Sequence, residues 1–294
     1  MRVAILGERG GWHIARLVEA LGRRGHATDV MSWRSIGAAI GPGLPAIAPA
    51  PLGVADAVVV RGMPGAGTAG SRLEDVIFRM DALAELVARG TPVINPPRAL
   101  EIAIDKYLSL AVLARAGVPV PRTIVAQYPA AARTAWEALG GDCVAKPLFG
   151  SRGRGLVRVR GADEAATSGG NGAVYLQEFL PNAGWDLRVL VAGDDAFAMR
   201  RVAAAGDWRT NLSLGGRPEA ADPPAEVVAL ARRAAACVGA VVAGVDLLPT
   251  SDGFVVLEVN GVPAWRGLQT VTAVDLAATV AGVIEQAVRG STDR

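Results

Sequence analysis

Residues 242–260 read VAGVDLLPTSDGFVVLEVN. Two apolar runs flank a polar turn, so the stretch predicts a β-hairpin. A three-residue loop, Ser251-Asp252-Gly253, with Gly in the left-handed position, is a common closure. It pairs Thr250 with Phe254 and, four residues further along each strand, Asp246 with Glu258. Facing partners hold their Cβ atoms about 4.5–5.5 Å apart. Asn260 lies two residues beyond Glu258 and shares its face. On this register Phe254 and Val256 also share the carboxylate face, while Val255, Leu257 and Val259 line the other. Two carboxylates opposed on a mostly buried face repel, and desolvation adds to the cost. A hard divalent cation resolves the conflict. Mg²⁺ accepts one or two carboxylates and an amide oxygen, and completes its shell with water and nucleotide phosphates. The alternatives are a solvated hairpin end or one protonated carboxyl.

Further out, the basic residues are unevenly chosen. Of 30 only two are lysines, Lys106 and Lys146. A base-composition bias toward arginine accounts for this, and the surviving lysines mark where a compact ammonium is to be sought. Lys146 sits on a predicted strand just before Phe149-Gly-Ser-Arg-Gly-Arg-Gly155. A glycine loop, here with Gly153 and Gly155, lets backbone N–H groups approach phosphate oxygens, and a nearby lysine supplies a point charge. Read alone, such a loop is equally a plain turn. No Gly-Lys-Ser/Thr helix start follows, so it is not a Walker A loop. Gly7-Glu-Arg-Gly-Gly11 lacks the dinucleotide glycine spacing. Gln177-Glu178-Phe179 ends an apolar strand and Asp186 follows, an edge suited to a purine and its ribose, or a plain exposed strand end.

The rest of the chain alternates strands and helices. RVAIL (2–6), DAVVV (56–60) and PVIN (92–95) are predicted buried strands, with helices near 12–24 and 71–89, which implies a parallel sheet covered on both faces. A helix opens at Asp105-Lys106-Tyr107 and stops at Gly117. The segment 118–126 is extended, a helix lies near 129–139, and strands at 143–148 and 156–160 flank the glycine loop. Strands at 173–179, 185–191 and 196–202 follow, then a helix near 224–238, the hairpin, and a last helix near 273–288.

Composition narrows the function classes. Hydrophobic residues make up 51% and charged residues 20%, enough apolar surface for cores. Thirty basic against 28 acidic side chains leave a net charge of +2, which argues against a nucleic-acid surface. Two cysteines, Cys143 and Cys237, fit buried free thiols in a reducing compartment. The longest uncharged run, Ile36 to Ala55, is broken by prolines, and the N-terminal apolar run is too short for a signal peptide. The expectation is a cytoplasmic protein without membrane contact.

Taken together, IDKYLSLAVLARAGVPVPRT, VAKPLFGSRGRGLVRV, YLQEF, GWDLRVLV, RRVAAAGDWRTNLSLGG, VAGVDLL and VLEVNGVPAWRGLQ resemble the ATP-grasp superfamily, and within it the RimK-like α-L-glutamate ligases. The resemblance implies an α/β ATP-grasp fold. Residues 1–97 would be an N-terminal parallel-sheet domain, 98–179 a central lid subdomain carrying the glycine loop, and 180–294 a C-terminal antiparallel-sheet subdomain that binds Mg²⁺. Lys106 and Lys146 would contact ATP phosphates, with Gly153 and Gly155 above them. Glu178 and Phe179 would hold adenine through their backbone, Gln177 would belong to the same nucleotide site, and Asp186 would bind ribose. Arg209 and Asn211, with Arg201, would serve the phosphates and the developing acyl phosphate. Asp246, Glu258 and Asn260 would hold the metal, as the hairpin argument concludes without the family. The cofactors implied are ATP and Mg²⁺, one ion or two, with Mn²⁺ as a substitute. Arg152 in the loop and Gly261-Val262-Pro263-Ala264 depart from the family pattern and bear on lid detail and acceptor choice.

The activity so implied is carboxylate–amine ligation: the acceptor carboxylate takes the γ-phosphoryl group of ATP, and an amine displaces phosphate from the acyl phosphate. The expected partners are L-glutamate and a small-molecule carboxyl acceptor, such as a glutamylated cofactor, in a homo-oligomer, dimer or tetramer, with no nucleic acid. Arg188, Arg201 and Arg266 are candidate carboxylate anchors. Competing readings are a D-Ala–D-Ala ligase-like or glutathione synthetase-like enzyme, or a non-catalytic nucleotide-binding module.

Overall fold

Short apolar runs alternating with amphipathic helices build the first layer. β1 (Arg2–Leu6), β2 (Ala27–Met31), β3 (Ala57–Val60) and β4 (Val93–Ile94) form an all-parallel sheet in the order β2-β1-β3-β4. Helix α1 (Trp12–Arg23) turns Ile14, Leu17, Ala20 and Leu21 inward and is followed by Gly25 at φ +77°, a left-handed stop that glycine adopts without strain. The short helix α2 (Ala50–Gly53) and α3 (Leu73–Ala88) complete this layer. The computed structural model describes residues 1–42, 50–65, 72–148, 150, 153–170 and 172–292. Arg152, singled out above, lies outside the described residues, as do Phe149 and Ser151 of its loop. Strand β2 escapes sequence reading because ATDVM has no clean alternation.

Helices α4 (Pro97–Ile104) and α5 (Lys106–Arg115) meet at Asp105. Its carboxylate accepts hydrogen bonds from the N–H groups of Tyr107 and Leu108 and so caps α5. Helix α4 is absent from the sequence reading, because the prolines at 96 and 97 look like a break although Pro97 opens the helix. A four-stranded antiparallel sheet follows in the order β5-β8-β6-β7: β5 (Thr123–Ala126), β6 (Cys143–Lys146), β7 (Val157–Val159) and β8 (Val174–Glu178). Helices α6 (Pro129–Ala138) and α7 (Ala162–Thr167) cover it.

The third sheet, also antiparallel, has the order β11-β10-β9-β12-β13. Its strands are β9 (Trp185–Ala192), β10 (Asp195–Val202), β11 (Arg217–Ala220), β12 (Val242–Thr250) and β13 (Gly253–Asn260). Helix α8 (Ala225–Val238) separates β11 from β12, and α9 (Arg266–Gln269) and α10 (Leu276–Thr292) end the chain. The mixed α/β architecture is the expected one. Leu187, Val189, Val191, Ala243, Val245 and Leu247 share a core with α4, α5 and α8. On the opposite face, Leu190, Ala192, Met199 and Val242 join the parallel sheet, α1 and α10 in one core. The apolar end of that face is thereby covered, and its polar end carries the charged residues described next. Among the described residues no helix is long and apolar enough to cross a membrane.

The hairpin corrects two expectations. Thr250 pairs with Gly253, so Ser251 and Asp252 alone make the turn, and the expected Thr250–Phe254 pair does not form. A register shift then leaves Leu257 unopposed: Leu247 faces Val256, and Asp246 faces Glu258. This bulge restores the carboxylate pair while moving Phe254 and Val256 off its face. Val256 and Val259 are fully buried in the helix-covered core, with Phe254 packed against it, and Val255, opposite Leu248, takes the carboxylate side.

Candidate active site

Sheet register places the charges. Asp246 on β12 lies between Glu258 on β13 and Arg188 on β9, and Asp186 on β9 lies opposite Arg201 on β10. Directly opposed residues share a face, so the five form one row. Arg188 clamps Asp246 with two hydrogen bonds of 2.7 Å. Arg201, 4% exposed, donates to both oxygens of Asp186 at 2.8 and 2.5 Å and approaches Asp246 at 3.0 Å. Thr210 donates to Asp186 at 2.6 Å. Asp186 is 2% exposed with both oxygens engaged. In this structure it anchors Arg201 and offers no free oxygen to a ribose.

The two carboxyls of the pair differ. Burial alone would raise Asp246, but Arg188 and Arg201 outweigh it and hold the carboxyl below its ordinary range. Glu258 carries the penalty. Burial first, and Asp246 next, push its pKa up, only partly offset by Lys106, Arg188 and Lys146. No hydrogen bond or ion pair engages Glu258 among the described residues. Asn260, which the register puts on the pair's face, donates its amide nitrogen to the Gly244 carbonyl at 3.2 Å and keeps its side-chain oxygen as an acceptor. One unpartnered carboxylate, one carboxylate held from behind and one oriented amide oxygen form a hard-oxygen donor set that fits Mg²⁺. No cluster of three or more His, Cys, Asp or Glu that would hold a metal occurs among the described residues. The remaining ligands therefore have to come from water or a bound anion.

Both lysines converge on this pair. Lys146, on β6, donates to the Gln177 side-chain oxygen at 2.6 Å, and Gln177 in turn donates to Thr123 at 3.1 Å. Burial lowers Lys146 to about 8, with Glu258 and Asp246 acting to raise it and Lys106 to lower it. Lys106, at the start of α5, is also lowered, by burial first, against the pull of Glu258 and Asp105. It donates to the Gly150 carbonyl at 2.9 Å and so ties down the glycine loop. Lys106, Lys146, Arg188 and Arg201 are set against Asp186, Asp246 and Glu258, with Asp105 beside Lys106: four cations against four carboxylates. A lone divalent cation would leave this balanced site with excess positive charge, whereas a cation carried by polyphosphate would not.

The glycine loop is shaped for contact. Gly153 has φ +69°, and a Cβ there would sit 2.5 Å from the Asn211 side-chain oxygen; at Gly155, φ +72°, it would sit 2.8 Å from Pro147. Glycine is required at both. Arg209 is held by Asp207, with bonds of 3.0, 3.2 and 2.8 Å, and Asp207 raises its pKa. It is not brought into the charged row. The residues expected on the adenine side lie at the far end of β8. Arg122 binds the Glu178 carboxylate through its backbone N–H at 2.8 Å and its Nε at 2.6 Å. The N–H groups of Glu178 and Phe179 are spent on Arg122 and Asp142 carbonyls at 3.0 and 2.9 Å. The Leu180 N–H makes no hydrogen bond among the described residues. Phe179 is packed between the Arg158 guanidinium, 3.4 Å from its centroid, and the edge of Trp208 at 5.6 Å.

Comparisons with known proteins bear on the family and the fold. Residues 103–284 match the family model of the RimK-like ATP-grasp domain. The chain is 37% identical over 247 residues to the tetrahydromethanopterin:alpha-L-glutamate ligase of Methanosarcina acetivorans, covering 72% of this chain and 74% of that one. It is 34% identical over 297 residues to a probable alpha-L-glutamate ligase of Serratia proteamaculans, covering 97% and 96%. The solved structure of the ATP-grasp ligase PsnB, complexed with a phosphomimetic variant of its minimal precursor, Mg and ADP, matches with a TM-score of 0.74 at 26% identity, covering 97% of this chain and 98% of that one.

Proposed function

We propose a function for this chain from one premise: it belongs to the RimK-like ATP-grasp family. It is a ligase that forms carbon–nitrogen bonds. Its substrates, on our reading, are ATP, L-glutamate as the amine, and a small-molecule carboxyl acceptor, and it works in the cytoplasm. The name of the Methanosarcina relative, which pairs glutamate with a pterin, supports a small-molecule acceptor. The observation that carries the reading is the Asp246–Glu258 pair with Asn260 beside it, set beneath the only two lysines of the chain.

Asp246, Glu258 and Asn260 would hold Mg²⁺, which would offset the negative charge on the transferring phosphoryl group. Lys106 and Lys146 neutralise the phosphates, and Arg188 and Arg201 keep Asp246 ionised and aimed. An oxygen of the acceptor carboxylate bonds to the γ-phosphorus while the bond to the β–γ bridging oxygen breaks, and ADP leaves with that electron pair. The amine nitrogen then attacks the acyl carbon, the carbon–oxygen bond to phosphate breaks, and the nitrogen sheds a proton. Arg209 and Asn211 serve the phosphoryl group, and the loop containing Gly153 and Gly155 keeps water from the acyl phosphate. Leu180 and Phe179 frame the adenine.

Mass spectrometry of products from purified protein, ATP, Mg²⁺, L-glutamate and a metabolite extract tests the reading. A mass gain of one glutamyl residue on a small molecule, with stoichiometric ADP, is expected. ADP release that is independent of any added amino acid overturns it, and glutamylation confined to added peptides overturns the small-molecule acceptor.

A further inference from the structure

Arg61 directly follows β3, at the C-terminal edge of the parallel sheet. The strand order β2-β1-β3-β4 reverses direction between β1 and β3, and the crevice beyond such a point is where open α/β sheets take ligands. The two loops that leave these strands lie against each other: a Cβ on Gly7 would stand 3.4 Å from the Arg61 carbonyl carbon. The Arg61 side chain reaches across to the segment after β13. Its Nη2 donates to the Pro263 carbonyl at 2.8 Å, and its guanidinium lies 4.3 Å from the centroid of the Trp265 ring. His13 pins that segment by accepting from the N–H groups of Trp265 and Arg266 at 3.0 and 3.2 Å. Pro263 is three residues past Asn260, so at most about 11 Å separates their Cα atoms.

What sets Arg61 apart is the missing anion. Arg158, Arg188, Arg201 and Arg209 each hold an aspartate through two of their nitrogens. Arg61 has no carboxylate partner among the described residues, and its enclosed Nε has no hydrogen-bond partner. Burial without compensation brings its pKa down to about 9. A half-buried guanidinium with an enclosed, unpaired Nε is costly unless something supplies acceptor oxygens. Arg266, exposed with its guanidinium 5.9 Å from the Trp12 ring centroid and also without an ion pair, adds a second cation to the same seam.

We propose that Arg61 anchors a substrate carboxylate that the reaction leaves intact, at the seam between the parallel sheet and residues 261–266. The inference rests on the ligase reading above. The carboxylate belongs either to the amine, since L-glutamate keeps its own carboxyls, or to the acceptor beside its reacting group. Guanidinium suits either, because its planar donors match a carboxylate.

Calorimetric titration of the full chain saturated with Mg²⁺ and ADP separates the sources. One probe is L-glutamate. The other is N-acetyl-L-glutamate, which has carboxyls but no free amine and stands in for an acceptor. Arg61→Gln, and in parallel Arg61→Met, which buries no new polar group, should bind one probe at least tenfold more weakly while keeping wild-type ADP affinity as the sign of an intact fold. Weakened L-glutamate assigns the amine side, and weakened N-acetyl-L-glutamate the acceptor side. Arg61→Lys should recover only part of the loss, since it restores charge without the planar fork. Unchanged affinity for both probes in a folded variant overturns the proposal, as does a wild type that binds ADP but neither probe. Failure of the ligase reading shows separately, as absence of ADP binding in the wild type.

Discussion

Glu258 bears the electrostatic strain of the site and Asp246 does not. Two arginines hold Asp246 from behind, whereas burial and its neighbour push Glu258 toward the protonated form. Glu258→Gln keeps the shape and removes the charge. Turnover dependent on Mg²⁺ should fall by about 100-fold or more, and the Tm of the free protein should hold or rise, because a buried charge has been relieved. Steady-state ADP release and thermal melts read the two effects, and undiminished turnover removes the metal assignment. Lys146 makes a pH prediction. Its pKa is about 8 in the free protein, below the ordinary lysine value. Phosphate binding needs the ammonium, so ADP affinity should be flat below about pH 8 and fall above it by roughly tenfold per unit until the ordinary lysine range is reached. Calorimetry from pH 7 to 10 checks this, and Lys146→Arg, which stays charged, should flatten the slope. The residue types were legible beforehand. That Asp186 is locked by Arg201 and Thr210, and that Gln177 seats Lys146, was not, because each contact joins segments brought together only by the fold.

At the scale of elements, one side chain joins the two layers. Asn95, 2% exposed, follows β4 and makes four hydrogen bonds to the third sheet and its exit. Its nitrogen donates to the carbonyls of Val242 and Gly261, both at 2.6 Å, and its oxygen accepts from the N–H groups of Val241 and Val242 at 2.8 and 2.9 Å. The amide is fully satisfied at the start of β12 and just past Asn260. Asn95→Leu should destabilise by roughly 3 kcal/mol or more, since buried backbone groups lose their partners, and urea melts would register this as a lower midpoint. A change within experimental error would show the joint to be redundant. In the sequence Asn95 precedes two prolines and reads as the end of a unit, with nothing in its neighbourhood to reveal the contacts. The bulge at Leu257 is similarly hidden. An alternating run implies a regular ladder, and only the paired strand shows where one residue is left over.

For the molecule as a whole, the charge balance of the cleft determines what binds first. With four cations already balanced by four carboxylates, Mg²⁺ alone should shift the Tm little. Mg²⁺ with ADP should stabilise by about 2.7 kcal/mol when ADP is at a hundred times its Kd. Differential scanning fluorimetry with each ligand singly and together checks this, and a large shift from Mg²⁺ alone would mean that the metal site is complete without phosphate. The apolar half of the same sheet face is sealed by α1, α10 and the parallel sheet, so the ends of the chain close around the core that positions the cleft. By itself the sequence determined the alternating layers, the hairpin with its opposed acids, and the two lysines, because short-range periodicity, turn chemistry and residue type are local properties. Tertiary structure alone decided which arginines guard Asp246, which carboxyl of the pair has no partner among the described residues, and that Arg61 has no carboxylate partner among them. Those are questions of distance between segments remote in the chain, and only the packed sheets set such distances.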